Sequence, residues 1–121
     1  MTKLEALTEL AAKVEAGCIP KRDLVSAAFA HRDEKYKGFR LGELIHWIMQ
    51  PDDIRAMGAA RALHEAVLPG WDIQITTYED DSFEASVARP MEVRTYDGVS
   101  MYMARAWLLA IIRALIAEEE A

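Results

Sequence analysis

The stretch ARAWLLAIIRALIA, residues 104–117, decides the fold, because it predicts the helix around which the rest of the chain must pack. Its apolar side chains recur at spacings of three and four and give a wide apolar face, which is typical of a helix that is more than half buried. Arg105 and Arg113 interrupt the run, and each would cost roughly 2.5–3.5 kcal/mol near the centre of a bilayer. We therefore predict the central helix of a protein core, packed on a sheet, and not a membrane span.

The segment before this helix has an apolar period of two, which predicts β-strands. Three alternating runs, at 71–76, 82–87 and 91–95, are joined by the short connections EDD (79–81) and RP (89–90). Such spacing predicts an antiparallel three-stranded meander. One face of the meander is apolar and the other largely polar, which is typical of a sheet covered firmly on one side. We expect its polar side to be thinly covered, or covered by a partner. The residues of that side are Asp72, Gln74, Thr76, Glu84 and Arg94.

The first half of the chain predicts helices. Thr2 and Glu5 have the spacing of a capping box before an apolar stripe that ends at Gly17. A second helix is expected at about 20–30 with Pro20 in its first turn, and a short one at 41–49. A further helix starts at about Asp52 and stops at Pro69-Gly70. Residues 31–40, between the second helix and the short helix at 41–49, are predicted to form a loop.

Length and charge limit the possible functions. The 121 residues fit one domain, spanning 1–121, and the prediction is an α+β fold. The net charge of −6 argues against direct binding to nucleic-acid backbones or anionic membranes, both of which need basic patches. The single cysteine, Cys18, excludes an intramolecular disulfide, and the N-terminus lacks the apolar core of a signal peptide. We expect a cytoplasmic protein.

His64 and Glu65 are the pair most suggestive of chemistry. A zinc helix of the HExxH type needs a second histidine four residues after the first, and Leu68 stands there. The other histidines, His31 and His46, lie on separate segments. Either the pair belongs to an acid–base site, or ALHEAVLPGW is a helix–strand junction, which we favour.

Other reactive side chains have structural interpretations beside the chemical ones. Cys18 follows a helix C-terminus, the wrong end to lower a thiol pKa. The acidic residues near 79–84 suit a hairpin turn better than acid–base work. The basic cluster within 31–40 is either a solvated loop or a contact site. The aromatic residues are expected in the core or at an interface. They are Trp47, Trp71, Trp107, Tyr36, Tyr96 and Tyr102. We predict no catalytic, cofactor-binding or metal-ligating residue.

Three stretches resemble the phage ABA sandwich domain family of small phage-encoded proteins. They are LTELAAKVEAG (7–17), GAARALHEAVLPGWDIQI (58–75) and ARAWLLAIIRALIA (104–117). The resemblance implies helices on both sides of a sheet, and it implies no catalytic residue. Two segments depart from the family pattern: HRDEKYKGFRLGELIHWIM (31–49) has no clear counterpart, and DGVSMYM (97–103) replaces a threonine-proline pair. In the latter, Asp97 or Ser100 is expected to cap the last helix.

Three function hypotheses follow. The first is a phage or prophage accessory protein that acts by binding a protein partner or by self-association. The second is an acidic inhibitor of a host defence protein, of the anti-CRISPR or anti-restriction type. The third is a small enzyme with His64 and Glu65 in its site, which requires His64 to face a cleft.

Overall fold

The computed structural model describes residues 1–29, 38–51 and 53–121, and it shows an α+β fold. Four helices come first, then three strands, then one long helix. They are α1 (Lys3–Glu15), α2 (Arg22–Ala28), α3 (Gly38–Ile48), α4 (Asp53–Val67), β1 (Asp72–Thr77), β2 (Phe83–Ala88), β3 (Tyr96–Ser100) and α5 (Met103–Glu120). The predicted fold class is thus confirmed.

Helix α5 lies at the centre of the molecule. Ten of its 18 side chains are buried, since it packs against β2 and β3 on one side and against α1 and α4 on the other. The layers are therefore the sheet, then α5, then the remaining helices. This confirms the prediction that the C-terminal helix packs on the sheet.

The two arginines of α5 are accommodated at the margins of this core. Arg105 donates a hydrogen bond from Nη2 to the carbonyl oxygen of Met49 at 2.9 Å, and its guanidinium lies 4.1 Å from the ring centre of Tyr102. Arg113 donates to the carbonyl oxygen of Asp97 and to Glu15, each at 2.6 Å. Both charges are thus paired with polar groups, and the helix can be largely buried despite them.

The sheet is antiparallel throughout, with strand order β1-β2-β3. Ala85 pairs with Ile75 on one side and with Gly98 on the other, and this face of the sheet packs on α5. The side chains of the opposite face, which we call the outer face, are those of Asp72, Gln74, Thr76, Glu84, Ser86, Ala88, Asp97 and Val99. The outer positions of β1 are exposed, and so is Val99. The polar side predicted from the sequence is uncovered by the described helices, which differs from the arrangement that the resemblance implies.

Gly98 allows the sheet and α5 to approach closely. A Cβ atom at this position would collide with the carbonyl oxygen of Ala106 and would lie 2.5 Å from Cβ of Leu109. Real Cβ atoms do not come this near to other heavy atoms. The contact between β3 and α5 therefore depends on a residue without a side chain.

The predicted third strand was wrong. Residues 91–95 form no strand, and Met91 and Val93 are fully exposed. A turn in which the amide of Glu92 donates to the carbonyl of Arg89 carries the chain away from β2, and Met91 adopts a left-handed φ of 68° there. Pairing resumes only at Tyr96, opposite Val87. Arg94 consequently lies outside the sheet, although the sequence placed it on the polar face.

The capping box at the start of α1 is confirmed, because the Glu5 amide donates to Oγ1 of Thr2 at 3.1 Å and the Glu5 carboxylate accepts from the Thr2 amide at 3.3 Å. Other boundaries differ from the prediction. Helix α2 begins at Arg22, with Pro20 ahead of it, and α3 begins at Gly38, inside the predicted loop. Asp52 and the rest of that loop, 31–37, lie outside the described residues.

The predicted caps of α5 were wrong. Its N-cap is Tyr102, which makes no capping bond through its side chain. Asp97 and Ser100 are instead residues of β3, and the Ser100 hydroxyl accepts a hydrogen bond from the Tyr102 amide at 3.1 Å. The strand ends five residues further along than the alternating pattern suggested, so both candidate caps are used by the sheet.

Candidate functional site

His64 links three elements and is 5% exposed. Its Nδ1 accepts a hydrogen bond from the indole N–H of Trp107 at 3.0 Å, and its Nε2 lies 2.9 Å from the carbonyl oxygen of Trp71. An indole nitrogen can only donate and a carbonyl can only accept, so the ring is neutral with its proton on Nε2. Both nitrogens are used within the protein, and neither offers a lone pair to a metal ion or a substrate proton.

Glu65 points away from this arrangement. Its side chain is exposed and accepts a hydrogen bond from Arg61, one turn earlier in α4, at 3.3 Å. His64 and Glu65 therefore have different hydrogen-bond partners and are not bonded to each other. Both residues do line one groove of about 650 Å³ between α4 and the start of β1, which also has Met57, Trp71 and Ile73 in its wall.

Among the described residues, His46 and Cys18 form no metal-binding group with His64. His46 lies exposed on α3, with Nε2 of Gln50 at 3.4 Å from its own Nε2, and His31 lies outside the described residues. Within 1–29, 38–51 and 53–121, no group of three His, Cys, Asp or Glu side chains could hold a metal ion. Cys18 is exposed just after the C-terminus of α1.

The acidic residues between β1 and β2 form the hairpin turn. Oδ1 of Asp80 accepts hydrogen bonds from the hydroxyl of Ser82 at 2.6 Å and from its amide at 3.0 Å. These two bonds hold the pKa of the Asp80 carboxyl below its ordinary value of 3.8. Asp81 takes a left-handed φ of 66°, which aspartate tolerates better than most residues. Local turn geometry thus accounts for these residues.

Removing the Ser82 hydroxyl tests this turn. In a Ser82→Ala variant we expect the pKa of Asp80 to rise toward 3.8, as followed by a carbon-13 NMR titration of the carboxyl group. Because folding lowers this pKa, the stabilisation is present above the unfolded pKa and is lost as pH falls through the folded one. The variant should therefore be less stable than the wild type at neutral pH and equal to it in strong acid. An unchanged Asp80 titration would contradict this geometry.

Carboxylates dominate the outer face and its hairpin. The Tyr78 hydroxyl donates to Glu84 at 3.0 Å, and this hydrogen bond, with burial and the charges of Glu84 and Asp97, raises the pKa of Tyr78. Oδ1 of Asp97 is buried and has no hydrogen-bond partner among the residues that the structure describes. From 71 to 100 the sequence holds seven acidic residues and two arginines. On the outer face itself the charged side chains are Asp72, Glu84 and Asp97, so this face carries negative charge and no lysine or arginine.

The two arginines of this region are held on aromatic rings. The Arg89 guanidinium lies 5.3 Å from the ring centre of Trp71, and that of Arg94 lies 5.3 Å from the ring centre of Tyr96. Trp71 directly precedes β1 and Tyr96 is the first residue of β3, and the inner face of the sheet packs on α5. The arginines thus stack near the start of β1 and β3, the end of the sheet that also holds Asp72 and Asp97, while the β1–β2 hairpin end holds Glu84.

The tryptophans divide between the core and the surface. Trp107 is buried and Trp71 is half-buried, as expected. Trp47, however, is 39% exposed on α3, with the guanidinium of Arg55 5.0 Å from its ring centre. Of the predicted basic cluster, Arg40 belongs to α3, while Arg32, Lys35, Lys37 and Tyr36 lie outside the described residues.

No family model, curated protein or solved structure matches the chain. The resemblance to the phage ABA sandwich domain stays a prediction. In the part of the chain that the structure describes, no helix is both long enough and apolar enough to cross a membrane.

Proposed function

We propose that this chain is a phage or prophage accessory protein that acts in the bacterial cytoplasm by binding a protein and not by catalysis. The observation that carries the proposal is the acidic outer face of the sheet. An antiparallel sheet can leave one face to solvent, so exposure alone would mean little. The three carboxylates on that face, with no lysine or arginine among its side chains, favour a binding surface.

The composition of this surface suits a basic protein partner. Asp72, Glu84 and Asp97 supply negative charge, which raises association rates with an oppositely charged protein. Tyr78 and Val99 are 44% and 50% exposed beside them, and aromatic side chains of this kind often anchor interfaces. A surface with apolar anchors among like charges fits a partner whose contact area carries lysine or arginine.

The side chains that first suggested chemistry support binding over catalysis. Both nitrogens of His64 are engaged, Glu65 pairs with Arg61, and Asp80 organises a turn. An acid–base mechanism needs such groups to face a substrate together. In the structure, each of them has a local partner instead.

Reversal of charge on the outer face provides the test. We expect an Asp72→Lys, Glu84→Lys variant to bind a short lysine-rich peptide at least about tenfold more weakly than the wild type at low salt, a loss of ~1.4 kcal/mol. The binding should also weaken as salt is added. Isothermal titration calorimetry measures both.

A matched control separates this face from net charge. Glu9 and Glu65 are exposed on α1 and α4, and a Glu9→Lys, Glu65→Lys variant changes the net charge by the same amount. It should retain most of the peptide affinity. An equal loss in both double variants would contradict the proposal, because it would show a response to overall charge alone.

A second candidate function rests on the same acidity. An acidic face can occupy the basic surface with which a host defence protein binds nucleic acid. Phage infection assays in hosts carrying a defence system test this reading. The wild-type protein should relieve restriction and the Asp72→Lys, Glu84→Lys variant should not. Unchanged restriction with the wild-type protein would count heavily against it.

A further inference from the structure

The hydrogen-bonding groups of β1 divide between its two sides. The Tyr78 amide donates to the carbonyl of Ser82 at 2.9 Å and closes the hairpin. Since antiparallel pairs alternate between bonded and non-bonded, the even-numbered residues of β1 bond to β2. Ile73, Ile75 and Thr77 therefore direct their N–H and C=O groups outward, to the free edge. No bond to these groups occurs within the described residues.

The opposite edge of the sheet is partly occupied by an arginine. The same alternation directs the Asp97 backbone away from β2, and its carbonyl oxygen accepts a hydrogen bond from Arg113 at 2.6 Å. The Arg113 guanidinium is fixed there by Glu15, also at 2.6 Å. Helix α5 packs closely along β3 as well. A strand added at β3 would have to displace Arg113 from the Asp97 carbonyl, whereas a strand added at β1 would displace no such bond.

The sequence of β1 lacks the usual protection of a free edge. Proteins discourage strand addition with lysine, proline, bulges or inward charges. Between Ile73 and Thr77 the strand reads IQITT, with no charge and no proline, and its pairing with β2 is continuous. Four of these five residues are β-branched and suit a strand. Ile73 is 37% exposed, an apolar side chain available for contact.

We propose that β1 pairs antiparallel with β1 of a second copy, around a two-fold axis at Ile75. Ile75 of one copy then faces Ile75 of the other, and Ile73 faces Thr77. All outward N–H and C=O groups of Ile73, Ile75 and Thr77 find partners in this register. The two sheets become one sheet of six strands.

A second copy fits this edge because the register is self-complementary. On the outer face, Gln74 lies opposite Thr76 and both are uncharged, while Asp72 lies opposite Tyr78 and not opposite another carboxylate. On the inner face, two Ile75 side chains meet. Like charges directly opposite each other, which destabilise strand pairs, do not occur between the paired strands. The twofold symmetry is that of the commonest oligomers.

The groove beside β1 extends the contact beyond the strands. Stable interfaces bury about 1,200–2,000 Å² in total, which is more than a single strand pair provides. Met57, Trp71 and Ile73 line this groove of about 650 Å³ next to the edge, and the added strand would cover its open side. The association does not rest on the proposed function, since it uses the edge and not the acidic outer face.

Sedimentation velocity at about 10–100 μM tests the association. The wild type is expected to be dimeric and, because each copy carries a net charge of −6, to dimerise more tightly as salt rises. Peptide binding to the outer face should respond to salt in the opposite sense. A wild type that stays monomeric throughout would overturn the inference, whether or not the peptide binds.

An Ile73→Pro variant blocks the edge. Its lost N–H points outward, so no bond to β2 is removed, which is where edge strands tolerate proline. We expect a monomer with wild-type circular dichroism, whereas the control Gln74→Thr should remain dimeric. A dimer that survives Ile73→Pro would overturn the inference.

Cysteine cross-linking tests the register without blocking the edge. In a Cys18→Ser background, Ile75→Cys places two cysteines opposite each other at about 5.5 Å between Cα atoms, within disulfide range. Ile73→Cys places them about 14 Å apart, four residues at roughly 3.4 Å each. Under mild oxidation, the first variant should form a covalent dimer and the second should not. The reverse result would overturn the register.

Discussion

A Gly98→Ala variant is expected to lose about 3 kcal/mol or more of its free energy of unfolding. The added methyl group would meet the carbonyl oxygen of Ala106 and the amide nitrogen of Ala110, the latter at 2.7 Å. These are backbone atoms of α5, so no side-chain rotation can relieve the contact, and overpacking of this kind is destabilising. The sheet must move away from its core helix. Equilibrium urea unfolding followed by circular dichroism measures the loss.

Gly42 provides the control for this substitution. It lies within α3, and a Cβ atom added there would have no heavy atom within 4 Å. A Gly42→Ala variant should therefore be unchanged or more stable by up to about 1 kcal/mol, because alanine favours a helix over glycine. If Gly98→Ala were as harmless as Gly42→Ala, the close packing of β3 on α5 would be wrong.

Replacement of Trp107 by alanine should cost about 3–5 kcal/mol of unfolding free energy. The indole is buried between the sheet and the helices, so its removal leaves a cavity. The variant also removes the hydrogen-bond donor for Nδ1 of His64. Trp107→Phe retains most of the apolar volume and loses the donor, and should cost about 1–3 kcal/mol. Thermal and urea unfolding distinguish the two variants.

A double-mutant cycle isolates the hydrogen bond. In a His64→Leu background the indole N–H has lost its acceptor, so a further Trp107→Phe change should cost less than it does in the wild type. Strictly additive effects of the two substitutions would show that the His64–Trp107 hydrogen bond does not contribute to stability. The same result would mean that stabilisation through Trp107 does not explain why His64 is buried.

The helices and the central position of α5 were predictable because apolar periodicity is a local property. The run at 104–117 has too wide an apolar face for a surface helix, and the structure buries it on both sides. The Thr2–Glu5 box likewise depends on residues three apart. Features that depend on residues three or four positions apart are therefore predicted well from the sequence.

The third strand was misplaced because alternation does not fix pairing. Residues 91–95 alternate as well as a strand does, but the turn after Arg89 and the left-handed Met91 displace them. Gly98 marked the true strand, since a glycine inside a strand often permits close backbone approach. The role of Gly98 can be recognised only when α5 is known to pack against β3, and this tertiary contact is not visible in the local sequence.

The outer face was predictable in part. Alternation identified Asp72, Gln74, Thr76 and Glu84 as one polar side of the sheet, but it missed Asp97 because the third strand was misplaced. Tyr78 was also overlooked as a member of this face. The alternation of β1, continued one residue past Thr77, places it there, and its bond to Glu84 crosses the hairpin.

The contact between His64 and Trp107 could not be predicted from spacing. The two residues are 43 positions apart, and the adjacent Glu65 drew attention away from the tryptophan that His64 contacts. Trp47 presents the opposite case, since its helical position suited a core and the structure leaves it 39% exposed. Both outcomes depend on how separate helices pack together, which local patterns do not specify.

The most direct test of the binding surface is an amide NMR titration of the protein with a lysine-rich peptide. We predict that the shifted amides cluster on the outer face, around Asp72, Glu84 and Asp97, and in the hairpin from Tyr78 to Ser82. Amides of α1 should not move. Shifts confined to the groove beside His64, or no shifts at peptide excess, would contradict the claim that this protein binds its partner through the acidic face of the sheet.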